Sequence, residues 1–302
     1  MSEADKLSKI EALKKRYHAV ILAHNYQSPE VQDAADFVGD SLELSRKAAG
    51  LEADVIIFCG VRFMAETAAV LSPGKRVVLP EPAAGCPMAD MITARELRMW
   101  KEKYPGRKVV CYVNTSAEVK AESDICCTSS NAVAVVERLD EEEVLFVPDK
   151  NLAAYVARVT GRRIIAWDGY CYVHHKFRPE DILSARALHP GAEVWVHPEC
   201  PLDVIDVADK ALSTGTMVAE ARATKAREVI IGTEKGLIHR LAKENPAVHF
   251  YPARDSALCV NMKMTTLDKV LSALEGKVPP VEVPAGIADR ARGAIEAMIQ
   301  IS

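Results

Sequence analysis

Short apolar runs rich in β-branched residues alternate along the chain with longer segments whose apolar residues have helical spacing. This alternation is typical of α/β proteins, because a parallel strand needs a crossover helix to reach the next strand. The predicted strands are Ala19–Ala23, Val55–Cys59, Arg76–Leu79, Val109–Val113, Val144–Val147, Ile164–Trp167, Val194–His197, Val229–Ile231 and Val248–Tyr251. They fall into three sets of three, which predicts an α/β fold built from parallel sheets.

Three features return once in each set, at a spacing of about 86 residues. The first strand of each set ends in a polar cluster that contains, in chain order, His24, Tyr112 and His197. A turn with a hydroxyl side chain follows, at Ser41, Ser129 and Ser213–Thr214. The third strand of each set runs into a cysteine, at Cys86, Cys171 and Cys259. One α/β unit therefore occurs three times, and its polar clusters lie at strand carboxyl ends, where open α/β sheets bind ligands.

The repeat divides the chain into three predicted units, at residues 1–88, 89–174 and 175–302. Helix-start signals agree with it, since Thr93 and Glu96 form a capping-box pattern and Pro179 stands at the first position of a predicted helix. The third unit is the longest, and we expect its C-terminal helices to close onto the first unit.

The overall composition is that of a globular protein with a mild negative charge. Lys and Arg number 38 against 42 Asp and Glu, and hydrophobic residues make up 49% of the chain. No apolar run approaches the roughly 18 residues needed to span a bilayer, and residues 1–16 contain no apolar signal-peptide core. These features predict a cytoplasmic protein that binds neither membranes nor nucleic acid.

The eight cysteines include no C-x-x-C pair, which argues against a zinc ribbon or a thioredoxin motif. Three thiolates that converge from the three units would suit a soft metal centre. Structural zinc normally has four protein ligands, whereas three cysteines on a 4Fe–4S cluster leave one iron open to act as a Lewis acid. We expect the other cysteines to pack in the core, with a role near the site left open for Cys126, Cys127 and Cys200.

The polar clusters also carry a family resemblance that extends over essentially the whole chain. The segments concerned are Ala23–Gln27, Gly39–Ser41, Cys59–Thr67, Gly85–Ala89, Tyr112–Thr115, Asp168–Cys171, His197–Cys200 and Asn261–Lys263. In these segments the chain resembles the quinolinate synthases, iron–sulfur enzymes of de novo NAD biosynthesis. The resemblance implies three similar α/β/α domains in a pseudo-threefold triangle around a central active site. A C-x-x-C pair that some members carry near the last cysteine is missing here, which puts that form of thiol regulation in doubt.

The resemblance also implies a reaction and a cofactor. The family condenses iminoaspartate with dihydroxyacetone phosphate to give quinolinate, phosphate and water, and it uses a 4Fe–4S cluster. The implied cluster ligands are Cys86, Cys171 and Cys259. A functional link to an aspartate oxidase or an aspartate dehydrogenase would supply iminoaspartate. The alternative is a non-catalytic metal or iron–sulfur sensor on the same scaffold.

Substrate contacts are implied for residues at the strand ends and helix starts: His24, Ser41, Tyr112, Val113, Asn114, Ser129, His197, Pro198, Glu199 and Thr214. Hydroxyl groups at helix N-termini bind anions well, since the first backbone N–H groups of a helix are free. Plain helix capping is the alternative role for Ser41, Ser129 and Thr214.

The implied catalytic residues are Glu199, Tyr26 and His197. We expect Glu199 to act as a general base whose pKa is raised by desolvation and by nearby negative charge. We expect His24 and His197 to supply a charged donor or to move a proton near neutral pH. His174 is a weaker candidate, and Arg62 with Glu66 could form either a solvated ion pair or part of the site.

Overall fold

The computed structural model describes residues 2–301, and in these residues one order of elements occurs three times. The first unit comprises α1 (Glu3–Tyr17), β1 (Ala19–His24), α2 (Pro29–Ala34), β2 (Phe37–Gly39), α3 (Ser41–Ala49), β3 (Val55–Cys59), α4 (Arg62–Leu71) and β4 (Arg76–Val78). The second comprises α5 (Ala94–Lys103), β5 (Val109–Tyr112), α6 (Ala117–Lys120), β6 (Ile125–Cys127), α7 (Ala132–Glu137), β7 (Glu143–Val147), α8 (Lys150–Thr160) and β8 (Arg163–Ala166). The third comprises α9 (Pro179–Leu188), β9 (Glu193–Val196), α10 (Leu202–Asp206), β10 (Lys210–Ala211), α11 (Thr214–Ala223), β11 (Glu228–Gly232), α12 (Leu237–Glu244) and β12 (His249–Pro252). Two further helices follow, α13 (Leu267–Leu274) and α14 (Ala285–Ile299).

Each unit contains one four-stranded parallel sheet, and the strand order is equivalent in all three. The orders are β2-β1-β3-β4, β6-β5-β7-β8 and β10-β9-β11-β12. The predicted α/β class and the threefold repeat of parallel-sheet units are therefore confirmed. The domain limits at residues 88 and 174 stay predictions.

All nine predicted strands are present, but each sheet has one more strand than the sequence indicated. The additional strands β2, β6 and β10 are two or three residues long and lie at sheet edges. Segments this short do not show the alternation of apolar and polar residues on which strand prediction depends. Phe37 in β2 is also exposed, so this edge strand lacks the buried run that marks the central strands.

Local signals in the sequence account for the helix starts. The Thr93 hydroxyl accepts the Glu96 amide at 3.2 Å, while the Glu96 carboxylate accepts the Thr93 amide at 2.8 Å, which is the predicted capping box. Pro179 begins α9 as predicted, because its missing N–H would have no partner there. Within residues 2–301, no helix combines the length and the apolar character needed to cross a membrane.

The two last helices return to the earlier units. α13 packs against α1 and β3, and it buries Leu267, Val270 and Leu271 in the core of the first sheet. α14 lies between the first two units, packed mainly on α4, α6 and β6. Its buried face includes Ile295 and Met298, which belong to the core shared by these units.

We predict that Ile295→Ala destabilises the chain because it leaves a cavity where α14 joins the first two units. The expected loss is about 2–5 kcal/mol in the free energy of unfolding, measured by urea denaturation. The control is Arg290→Ala, whose side chain is 60% exposed on the same helix, and it should change this free energy by less than about 0.5 kcal/mol. Equal losses in the two variants would contradict the assignment of α14 to the shared core.

Candidate functional site

One cavity is lined by residues from all three units. Its lining residues are His24, Tyr26, Asp40, Ser41, Val61, Phe63, Gly85, Cys86, Pro87, Met88, Tyr112, Asn114, Thr128, Ser129, Cys171, Tyr172, Val173, His174, His197, Glu199, Thr214, Cys259 and Met262. The predicted site residues are all in this set except Val113 and Pro198, which are buried in the same strand-end turns. Asp40, Thr128, Tyr172 and the two methionines also line the cavity, although no role in the site was predicted for them.

Three helix N-termini from the three units supply one part of this cavity. Asp40 caps α3, since its Oδ1 atom accepts the Leu42 and Glu43 amides at 2.9 Å each. Asn131 precedes α7, and Ser213 caps α11. Ser41, Ser129 and Thr214 are therefore not the capping residues of these helices, so the capping alternative does not account for them.

Hydrogen bonds between units hold these N-termini together. The Ser130 hydroxyl donates to Asp40 Oδ2 at 2.5 Å and lies 2.8 Å from Ser213 Oγ, so one side chain contacts both other units. The Asn25 amide donates to Thr214 Oγ1 at 3.1 Å. The N-termini of α3, α7 and α11 consequently belong to one region, where the positive ends of the helix dipoles favour anionic groups.

A buried polar atom in the cavity has no partner among residues 2–301. It is Oδ1 of Asn114, at the end of β5. An unpaired buried carbonyl oxygen costs free energy, so the site favours a ligand that donates a hydrogen bond at this point.

Burial separates the cysteines into two groups. Cys86, Cys171 and Cys259 are partly exposed and line the cavity, whereas Cys59, Cys111, Cys126, Cys127 and Cys200 are buried. The second group is buried as core packing requires.

The three cavity thiols have equivalent surroundings. Each accepts a backbone N–H from the residue three positions later, which is Ala89, His174 or Met262. Burial nevertheless raises the pKa of all three thiols, to about 12 for Cys86. Nearby thiols add to this effect, since Cys259 acts on Cys86 and Cys86 acts on Cys171. Thiolates so placed need a cationic partner, and three soft donors with N–H···S bonds fit an iron–sulfur group.

Glu199 lies at the end of β9 in contact with two histidines. Its Oε2 atom contacts Nδ1 of His174 and lies 3.7 Å from Nδ1 of His197. Burial acts to raise the pKa of Glu199, but the His174 contact and a Tyr112 hydrogen bond outweigh burial and hold the pKa below its usual range. The expectation of a raised pKa is therefore wrong, because the sequence did not show that His174 faces this carboxylate.

His24 and His197 occupy equivalent strand ends and make the same contact. Nδ1 of each ring accepts the amide of the residue two positions later, Tyr26 at 3.1 Å and Glu199 at 3.3 Å. Burial lowers the pKa of both rings to about 3, assisted by Lys263 at His24 and by His174 at His197. Both imidazoles are therefore neutral with the proton on Nε2, and the expectation of a charged donor near neutral pH is wrong.

Two hydrogen bonds join Tyr26 to His174, whose ring contacts Glu199. The Tyr26 hydroxyl lies 2.6 Å from Thr233 Oγ1, which lies 2.7 Å from Nε2 of His174. His174 contacts Glu199 through its other ring nitrogen. Burial raises the pKa of Tyr26, so its phenol stays protonated. Sequence reasoning gave His174 little weight and missed Thr233, although Thr233 directly follows β11.

Arg62 and Glu66 lie outside the cavity lining. They form an ion pair at 2.9 Å, and the buried Glu66 carboxylate also accepts the Ala117 amide at the start of α6 at 3.1 Å. Through Glu66 this pair joins α4 of the first unit to the second unit.

The fold and the cavity define a three-unit α/β protein with a polar, cysteine-containing ligand site between its repeats. Residues 8–300 match the family model described as NadA, Quinolinate synthetase A protein. The chain therefore belongs to this family, which confirms the resemblance found in its motifs.

Curated relatives extend the same finding over the full length. A protein named quinolinate synthase from Dehalococcoides mccartyi is 58% identical over 294 residues, covering 97% of each chain. One from Methanoregula boonei is 54% identical over 289 residues, covering 96% of each. One from Thermodesulfovibrio yellowstonii is 52% identical over 296 residues, covering 98% of each. These relatives are named as enzymes, and the chain is a member of the same enzyme family.

We predict that His24 and His197 do not titrate between pH 5 and pH 8. Nitrogen-15 NMR of the metal-free protein, with signals assigned from His24→Gln and His197→Gln, should show neutral Nε2–H rings throughout. The unfolded chain binds these protons near pH 6.5. The contribution of the two neutral rings to the free energy of unfolding should therefore be complete above that pH and be lost as the pH drops toward about 3. Midpoints near pH 6.5 for these two rings would contradict the tautomer assignment.

Proposed function

We propose that the chain is a quinolinate synthase that condenses iminoaspartate with dihydroxyacetone phosphate. The products are quinolinate, inorganic phosphate and two molecules of water, which balances the atoms of the two substrates. The observation that carries this proposal is the composition of one cavity. It contains one partly exposed cysteine and one hydroxyl side chain near a helix start from each of the three units.

Both substrates are anionic, and the helix N-termini suit their carboxylate and phosphate groups. The hydroxyls of Ser41, Ser129 and Thr214 add donors near the positive ends of the α3, α7 and α11 helix dipoles. Oδ1 of Asn114 can accept a hydrogen bond from the substrate imine nitrogen. The neutral rings of His24 and His197 offer Nε2–H donors without adding positive charge.

A 4Fe–4S cluster would be held by Cys86, Cys171 and Cys259, and its open iron would supply a Lewis acid for a substrate hydroxyl or carboxylate. The thiol surroundings described above support this ligand set. Glu199 and His174 stand next to it, since their donor atoms and Cys171 Sγ all lie within 4.8 Å of one another. Proton transfer and substrate polarisation would therefore take place in the same part of the cavity.

Glu199 is the proposed general base. It is an ionised carboxylate at neutral pH, and His174 orients it and can share the proton that it accepts. The hydrogen bonds from His174 through Thr233 to Tyr26 provide a route for that proton toward a second substrate group. Tyr26 would act as a protonated donor, which suits the two dehydrations in the reaction.

The second candidate is a non-catalytic metal sensor, and the group of Cys171, His174 and Glu199 is the observation that favours it. These three residue types can bind zinc. However, Nε2 of His174 already contacts Thr233, so only Nδ1, which faces Glu199, is left for a metal. Stoichiometric zinc without iron in the purified protein would favour the sensor.

Iminoaspartate must come from an oxidation of aspartate, so we propose a functional link to an aspartate oxidase or an aspartate dehydrogenase.

The direct test of the proposed function is a product assay. Anaerobically reconstituted protein should form quinolinate and release one phosphate for each, and protein loaded with iron and sulfide that forms no quinolinate would refute the proposal.

We predict that Glu199→Gln keeps its iron but loses turnover by about 10²-fold or more, because the amide cannot accept the proton. Iron content and quinolinate formation are the two measurements. Glu220→Gln, a substitution in an ion pair outside the cavity lining, should retain both. A rate for Glu199→Gln within a few-fold of the unchanged protein would remove Glu199 from the role of base.

We predict that serine at Cys86, Cys171 or Cys259 abolishes stable cluster binding, because a hard hydroxyl replaces a soft thiolate. Iron and sulfide analysis after anaerobic reconstitution measures this loss. The matched control is Cys127→Ser, which changes a buried thiol outside the cavity lining and should retain about four irons for each chain. If this control also loses the cluster, the assignment of three ligands is wrong.

A further inference from the structure

Two fully buried carboxylates that the proposed reaction does not use lie directly behind the cysteine loops. They are Asp149 and Glu234, and each is the second residue after the third strand of its sheet in chain order, β7 or β11. The corresponding residue of the first unit, after β3, is Val61. Units two and three therefore have a buried carboxylate at a position where unit one has a valine.

Each carboxylate accepts the backbone amide of the cysteine in its own unit. Asp149 Oδ2 accepts the Cys171 amide at 3.1 Å, while its Oδ1 caps α8 through the Asn151 and Leu152 amides at 2.8 Å. Glu234 Oε1 accepts the Cys259 amide at 3.2 Å. These buried hydrogen bonds restrict the position of the backbone from which each thiol projects.

Glu234 also forms an ion pair that reaches into the first unit. Lys263 Nζ lies 3.0 Å from Glu234 Oε1 and donates to the backbone carbonyl of Tyr26. Lys263 is four residues after Cys259, so it belongs to the same loop. The loop that carries Cys259 is thereby joined to the loop that carries Tyr26.

Close packing around Gly236 supports the same connection. The Gly236 amide donates to Glu234 Oε2 at 2.7 Å, and a Cβ at this position would lie 2.5 Å from Lys263 Nζ and 3.1 Å from the Gln27 carbonyl oxygen. The Gln32 side-chain amide bridges the Gln27 and Gly236 carbonyls at 2.9 Å each. The contact between the two loops is therefore made of specific hydrogen bonds and leaves no space for a side chain.

We propose that Asp149 and Glu234 are positioning residues that fix the Cys171 and Cys259 loops, and that Lys263 holds the Cys259 loop in register with Tyr26. The inference rests on the proposed function in so far as these cysteines hold the cluster. It extends that function, because it names the residues that set the distance between the cluster ligands and the substrate-binding loop of the first unit. Outer partners of this kind commonly change metal affinity by about 10–100-fold.

The test compares Asp149→Asn, Glu234→Gln and Lys263→Met with Glu66→Gln. Asparagine is itself a good helix cap, so Asp149→Asn preserves the start of α8. Glu66→Gln is the matched control, since Glu66 is also a buried carboxylate that accepts a backbone amide and pairs with a basic residue, but it touches no cysteine loop. Thermal unfolding of each variant measures the general loss of stability separately.

The first measurement is hydrogen–deuterium exchange of the metal-free protein. Exchange at the Cys171 amide should rise about tenfold or more in Asp149→Asn, and exchange at the Cys259 amide should rise by the same order in Glu234→Gln. Lys263→Met should accelerate exchange in both the Cys259 loop and residues 24–27, whereas Asp149→Asn should leave residues 24–27 unchanged. Unchanged exchange at the cysteine amides, or an equal rise there in Glu66→Gln, would overturn the proposal.

The second measurement is the rate of iron release from reconstituted protein to a ferrous chelator. Asp149→Asn and Glu234→Gln should release iron about tenfold faster or more, and Glu66→Gln should match the unchanged protein. Release at the unchanged rate from both variants would overturn the link to the cluster. If the unchanged protein binds no cluster, the proposed function fails, while the exchange measurement still decides whether these carboxylates position the loops.

Discussion

The site depends on one constraint of parallel sheets, which present functional groups at the carboxyl ends of their strands. Central strands such as β1, β5 and β9 are almost wholly buried along their length, so the polar groups that reach the cavity lie at or just after the last residue of each strand. Repeating the same unit three times brings three such ends to one cavity. The hydrogen bonds of Ser130 with Asp40 and Ser213 then join the units at the helix N-termini.

The three units also differ in the side chains that they carry at equivalent positions of the site. His24 and His197 keep the same backbone contact at equivalent strand ends, while the second unit has Tyr112 there. Among residues 2–301, carboxylates bind the cysteine amides in the last two units, through Asp149 and Glu234, but not in the first. Equivalent positions therefore fix the framework of the cavity, and differences between the units place different polar side chains within it.

Much of this arrangement could be predicted from the sequence, because the features concerned are local. Strand runs, a capping box at Thr93 and a cysteine after each third strand are all readable within a few residues. The edge strands β2, β6 and β10 could not be predicted, since pairing with a neighbour and not composition defines them. The ionisation of Glu199 was wrongly predicted for a similar reason: its sign depends on His174, which is 25 residues away in the chain but in contact in the fold.

In the proposed enzyme, one cavity holds a 4Fe–4S cluster on three cysteines from three units, beside the base and the helix starts. Iron anomalous scattering from crystals of anaerobically reconstituted protein would locate the metal atoms. We expect four iron positions in contact with the sulfurs of Cys86, Cys171 and Cys259, with no protein ligand on the fourth iron. A single metal ion bound by Cys171, His174 and Glu199, or a fourth protein ligand to the cluster, would contradict it.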